Sequence, residues 1–382
     1  MILVLAFSSF ALMGINDGVL GVLLPSLQTH YGIDKAVVGL LFLASVIGHV
    51  IAAFASGAMA QKMGLRFLIL QGGVMISLCL VLVWQLPPFS LLLVILVIVG
   101  YAMAMLSTGL NAYIAPLPGS GRLLNYMHGF YGVGAFIGPL LATLVLQLHL
   151  GWSIVYLFIS FLCIALTLGL GIFFPASRTM SASHEHSPMA RMLRIPALWF
   201  ATIFLAFYVG VEVSVGNWSF TFLTEARSEH EVTAGWMVSG YWLGLTMGRM
   251  LLAFLVERMG KRLLVQYCLA GALAGVILIW FSTGGVLAAL GLWITGFCFG
   301  PLFPTTLSIV PEYMPQRLLT GAIGFISSIA YCGAAIFPWL AGNFMQSVGL
   351  WTLLPFCFLI LSAMLIMWSK LSHNHAKLVE VL

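Results

Sequence analysis

The chain has 382 residues, of which 62% are hydrophobic and only 7% charged, with a formal net charge of +5 at pH 7. A soluble domain carries about 25% charged residues and leaves part of its apolar area in water, so this composition excludes a soluble fold. The apolar runs are long and continuous, which excludes a β-barrel. The bases sit in short connections between those runs, so the positive charge reads as membrane orientation and not as a nucleic-acid surface.

Span one runs from Ile2 to Gln28, and because it starts at the chain's beginning no separate cleavable leader is expected. It carries Gly14-Ile15-Asn16-Asp17-Gly18. At a rise of about 1.5 Å per residue, Asp17 lies near the midplane of a hydrocarbon core about 30 Å thick. A carboxylate there is costly unless it is protonated, paired or hydrated. It therefore reads as a functional site, the alternative being a protonated, hydrogen-bonded structural acid. The two flanking glycines allow a neighbouring helix or a ligand to come close to the backbone.

Ten more spans of similar character follow, and an eleventh completes a set of twelve. Spans two to six cover Ala36–Ala60, Phe67–Trp84, Phe89–Pro116, Leu123–Leu148 and Trp152–Phe174. A polar linker, 175–195, separates them from Pro196–Phe222, Val232–Val256, Leu263–Phe281, Gly285–Val310, Leu318–Met345 and Trp351–Trp368. The expected organisation is a six-helix bundle over 1–174, a cytoplasmic linker over 175–195, a second bundle over 196–369 and a cytoplasmic tail over 370–382. Twelve of the fifteen bases fall on one side of the membrane in this arrangement. Lys35 and Arg227 fall on the other, and Arg249 lies inside span eight. The positive-inside rule then places both termini in the cytoplasm and the chain in the inner membrane.

Every acid lies in a connection or tail except Asp17 and Glu212. The six cysteines lie inside apolar runs without paired spacing, which argues against disulfides and metal sites. His184-Glu185-His186 is too short a cluster, in too polar a linker, to read as a metal site. The alternating bases of Met189–Arg194 fit a segment resting on an anionic leaflet. Gly240, Gly244 and Gly248 share one face of span eight, a pattern of close helix packing. Arg249 beside them is expected to snorkel to the interface or to pair with a helix end.

The two halves repeat. Gln61-Lys62-Met63-Gly64-Leu65-Arg66 recurs 196 positions later as Glu257-Arg258-Met259-Gly260-Lys261-Arg262. Pro116 recurs as Pro311, and Gly134-Ala135-Phe136-Ile137-Gly138-Pro139 as Gly333-Ala334-Ala335-Ile336-Phe337-Pro338. At the same offset Asp17 corresponds to Glu212. Two parallel repeats of six helices resemble the major facilitator superfamily, an all-α integral membrane fold of twelve transmembrane helices in two six-helix pseudo-repeats. The loop Gly57–Arg66 is similar to that family's signature, with Gln61 in place of the usual acid.

Three helices resemble the fucose–galactose–glucose:proton symporter branch more narrowly. They are Asn16-Asp17 with Leu23-Leu24-Pro25, Asn125-Tyr126-Met127-His128-Gly129-Phe130-Tyr131, and Tyr208-Val209-Gly210 with Trp218-Ser219. The resemblance implies that Asp17, Asn111, His128 and Tyr131 line a path for sugar and proton. It also departs from the branch, because Ser107 stands where a helix-four acid is usual, leaving Glu212 as the acid available for a second coupling role. Asn16, Asn217 and Trp218 add amides and an aromatic face suited to a sugar ring. His128 also reads as a packed core histidine, and Trp218 as an interface anchor. Tyr241 reads as packing.

The expected function is therefore secondary active transport: proton-coupled uptake of a monosaccharide by a monomer in a lipid bilayer. Sodium is an alternative ion, and export of amphipathic drugs an alternative activity. No enzyme activity, cofactor, metal or nucleic-acid partner is expected.

Overall fold

A computed structural model describes residues 1–175, 192–314 and 316–379. The triplet His184-Glu185-His186 and Met189-Ala190-Arg191 lie outside them. All regular structure among the described residues is helical. This is the expected result for apolar segments whose backbone groups find no partner in lipid and must satisfy one another.

Helix α1 is Ile2–Tyr31, and a short α2, Lys35–Val38, leads into α3, Leu40–Trp84. Then come α4, Phe89–Ile114; α5, Ser120–Gln147; and α6, Ile154–Phe173. In the second half α7 is Pro196–Thr221, α8 is Glu231–Leu251, α9 is Val256–Met259 and α10 is Lys261–Phe281. Span ten is broken into α11, Gly285–Phe299, and α12, Leu302–Ile309. Last are α13, Gln316–Ser347, and α14, Leu353–Val379.

Ten described helical stretches are long and apolar enough to cross a membrane. One of them, Lys35–Trp84, holds two spans that meet at Gly64, and α8 is a further helix of 21 residues, which brings the spans to twelve.

The described residues of Met1–Ser183 and His230–Ser239 form one compact unit, and those of His184–Glu229 and Gly240–Leu382 a second. Within the first, α1 packs on α5, and α3 on α4 and α6. Within the second, α7 packs on α13, and α10 on α11 and α14. The pairing is the same in both. So are its closest crossings. A methyl group on Gly134 of α5 would strike the Ala11 carbonyl of α1, and one on Gly333 of α13 would strike the Ala206 carbonyl of α7.

The repeated loop motif also has a conformational reason. Gly64 has φ 82 and ψ 163, and Gly260 has φ 80 and ψ 153, a region that side chains avoid. Around these turns the bases find partners, and the two copies differ. Arg66 donates to the Gly171 carbonyl at 2.6 Å. In the second copy Lys261 pairs with Glu312 at 3.1 Å and also donates to the Ser308 carbonyl at 2.7 Å. Arg262 donates to the Tyr313 hydroxyl at 2.8 Å. All six cysteines are free thiols.

Candidate functional site

The first site follows from how closely α1 and α5 approach. A methyl on Gly14 would collide with the Tyr131 carbonyl, and one on Gly18 would stand 2.6 Å from the Ala135 carbonyl. The glycines that flank Asp17 are therefore used by a neighbouring helix. With backbone against backbone, a side chain of α5 reaches across to α1. The Tyr131 hydroxyl donates to Asp17 Oδ2 at 2.7 Å, and Asn16 Nδ2 lies 3.3 Å from Oδ1.

His49, on α3, stands close enough to Asp17 for the two charges to act on each other. Its Nδ1 lies 3.2 Å from the Ser45 carbonyl. Gly100 of α4 gives the ring its room: a Cβ there would lie 3.1 Å from Nδ1. Asn16 Nδ2 also reaches the Met103 sulfur at 3.9 Å. Its Oδ1 is buried without a partner, so an unused acceptor lies beside the carboxyl.

The structure thus brings Asn16, Asp17 and Tyr131 together and adds His49. The sequence held the signal for His49, an ionisable side chain inside a span, although a histidine carries no fixed charge that would set it apart there. His128 lies one turn before Tyr131, exposed, with its ring edge-on to Phe10 at 5.1 Å. The buried-core reading of His128 is thereby corrected. Asn111 is half-buried on α4, and its amide donates to its own helix at the Ser107 carbonyl, 2.8 Å away.

In the second half Glu212 lies one turn after Tyr208 on α7. Its carboxyl has the Tyr208 hydroxyl beside it and feels the charge of Arg249 from α8. The Tyr241 hydroxyl donates to the Glu212 backbone carbonyl at 2.8 Å, and the ring is fully buried, as expected of packing. Arg249 faces Glu212 and span ten, so the interface-snorkelling reading gives way to the alternative of pairing with a helix end.

Trp218 is corrected on both of its readings. It is 0% exposed, and its indole N–H donates at 2.8 Å to the Pro338 carbonyl of α13. A ring so enclosed is neither a headgroup anchor nor an open face for a sugar. Asn217 is also buried, and its amide donates to the Val213 carbonyl of its own helix at 3.0 Å. The sequence passed over Trp242. Its indole, 5% exposed, lies flat against Gly216 and edge-on to Tyr241, and its N–H is buried without a partner. Of the glycine stripe on α8, Gly244 and Gly248 meet the backbone of α11, whereas Gly240 faces open space.

Two matching sets of six apolar spans, each carrying an acid in its first helix, define a multi-pass membrane transporter. The sequence pattern of the Major Facilitator Superfamily matches residues 6–230 and 217–377. The chain belongs to that superfamily and is a transporter, not an enzyme. It is 25% identical over 401 residues to Bypass of stop codon protein 6 of Saccharomyces cerevisiae, covering 94% of this chain and 80% of the yeast protein. To the gallate transporter of Pseudomonas putida it is 24% identical over 421 residues, covering 99% and 92% of the two. Among solved structures a variant of the E. coli fucose:proton symporter superposes with a TM-score of 0.66 at 19% identity, over 96% of this chain and 98% of that one.

Proposed function

We propose that this transporter takes up a monosaccharide together with a proton, with Asp17 as the coupling acid. It acts in the inner membrane, as a monomer with both termini in the cytoplasm. The observation that carries the reading is the Tyr131–Asp17 hydrogen bond at the α1/α5 crossing. It places a carboxyl in mid-span, bedded by a hydroxyl and an amide and facing a histidine. Such a group can bind and release a proton as its surroundings change. The unpartnered Asn16 Oδ1 beside it suits a hydroxyl donor, and sugar hydroxyls supply donors in adjacent pairs. Asn111, His128, Tyr131 and Asn217 are the further polar groups assigned to substrate recognition. Glu212 is the second intramembrane acid.

One observation favours a second reading, an aromatic acid as substrate. Arg249 is a cation inside a span, and one relative is named a gallate transporter. Against it, Glu212 lies where it acts on the Arg249 charge, and a second acid, Asp17, stands in the first half. A neutral polyol needs no counter-charge, while an organic anion would compete with Glu212 for Arg249.

Proteoliposomes holding the purified chain decide between them. Under an inward proton gradient we expect accumulation of at least one of L-fucose, D-galactose, D-glucose or D-mannose, abolished in Asp17→Asn. Gallate accumulation without any sugar would establish the second reading. Accumulation driven by a sodium gradient alone replaces the proton, and full accumulation by Asp17→Asn removes Asp17 from coupling.

A further inference from the structure

The break in span ten is held by side chains from two other helices. It falls at Gly300-Pro301, with Pro304 one turn further on. Proline has no N–H, so Pro304 cannot donate to the Gly300 carbonyl as an unbroken helix would require. That carbonyl accepts instead a long hydrogen bond from Arg249 Nε, 3.4 Å away. The neighbouring Phe299 carbonyl accepts from the Tyr208 hydroxyl at 3.0 Å.

Backbone contact fixes the geometry. A methyl on Gly248 would strike the Phe297 carbonyl, and one on Gly300 would strike the Arg249 amide nitrogen. Arg249 is therefore carried on α8 to within reach of the broken turn. Arg249 also lies near enough to Tyr208 and Glu212 to act on both electrostatically. Tyr241 closes the arrangement from α8 by holding the backbone of α7 at Glu212.

We infer that Arg249 is a positioning residue of the transport cycle. With Tyr208 it braces the break between α11 and α12 against α7 and α8, and Glu212 is its counter-charge. A change of angle between α11 and α12 must first give up these two bonds. The brace therefore sets how easily the second half changes shape. The inference rests on the chain being a transporter and not on which solute or ion it carries.

Hydrogen–deuterium exchange of the full chain in detergent micelles tests it without any substrate. The reporter is the segment 299–309, where the Thr305 amide bonds the Pro301 carbonyl at 3.0 Å. Tyr208→Phe removes one hydroxyl and should speed exchange there by about three- to tenfold, the effect of one lost hydrogen bond. Segments 285–296 and 120–147 should keep the parent rate. Arg249→Lys keeps the charge but not the planar fork, so it should speed the same segment while its thermal midpoint stays near the parent's.

Arg249→Met and Glu212→Gln each strand a charge and should lower the midpoint. The double variant should recover much of that loss, since it strands neither. Parent-rate exchange over 299–309 in folded Tyr208→Phe and Arg249→Lys would overturn the brace. Strict additivity of the two charge-removing changes would overturn the pairing with Glu212.

Discussion

Tyr131→Phe removes a single oxygen, and the structure allows its effect to be sized. The bond it deletes, from the Tyr131 hydroxyl to Asp17 Oδ2, is 2.7 Å long. That is an ordinary length for a hydroxyl donor, at the upper edge of the charge-assisted range of roughly 2.5–2.7 Å. The other bond to the carboxyl, from Asn16, is 3.3 Å and lies beyond the favourable range of about 2.7–3.2 Å for N–H donors. Tyr131 is therefore the stronger of the two. A hydrogen bond to a charged group contributes about 1.5–3 kcal/mol, against about 0.5–1.5 kcal/mol between neutral groups.

The helix crossing itself should survive, because Gly14 meets the backbone of Tyr131 and not its ring. The assay is a double-mutant cycle on unfolding free energy in mixed detergent micelles, with Tyr131→Phe, Asp17→Asn and the pair. A coupling of about 1.5–3 kcal/mol is expected if the carboxyl is ionised in the resting state, and about 0.5–1.5 kcal/mol if it is protonated. Effects that add within about 0.5 kcal/mol would mean that the two groups do not interact, and the coupling site would lose its central contact.

Three further outcomes follow from the same geometry. Gly134→Leu drives a side chain into the Ala11 carbonyl and should cost well over about 1–3 kcal/mol, seen as lost folded yield on size exclusion. Gly240→Ala has open space and should gain a few tenths, up to about 1 kcal/mol. Equal tolerance of both would contradict the crossing. Trp218→Phe leaves the Pro338 carbonyl short of a donor and should destabilise by about 1–3 kcal/mol, while Trp242→Phe removes a donor that bonds nothing and should leave the thermal midpoint near the parent's. The reverse order would restore Trp218 as a substrate group. His49→Gln takes a titratable ring from beside Asp17 and should alter the pH profile of uptake while sparing exchange between equal concentrations. An unchanged profile assigns His49 to packing alone.

The spans, the repeat and the close helix approach around Asp17 were legible because each rests on local chemistry. Apolar length marks a span, a recurring Gly64/Gly260 marks a turn with positive φ, and glycines around a lone acid mark a close approach. What the sequence hid was direction. In a soluble helix the polar face shows which side turns outward, but lipid and protein interior both accept apolar residues, so a span carries little sign of which face is inside. Trp218 and Trp242 are both tryptophans in second-half spans, and only packing makes one a bolt to Pro338 and leaves the other with an unused N–H. The Tyr131–Asp17 bond joins residues 114 positions apart, and nothing in either helix alone names its partner.

The repeat explains the common frame, and its departures locate what is particular to each half. The crossings at Gly134/Ala11 and Gly333/Ala206 superimpose in sequence at nearly one offset, so both halves inherit the same backbone contact. The acids that correspond under that offset do not inherit the same company. Asp17 meets a hydroxyl, an amide and a histidine, groups that can exchange a proton or bind a polyol. Glu212 lies within the electrostatic reach of a permanent cation that is itself engaged on a broken helix. A carboxyl with a fixed counter-charge is the poorer proton carrier and the better structural tie, because releasing it strands the guanidinium in a span. We therefore propose that their neighbours divide the labour between the equivalent acids: proton coupling at Asp17, and mechanical restraint at Glu212.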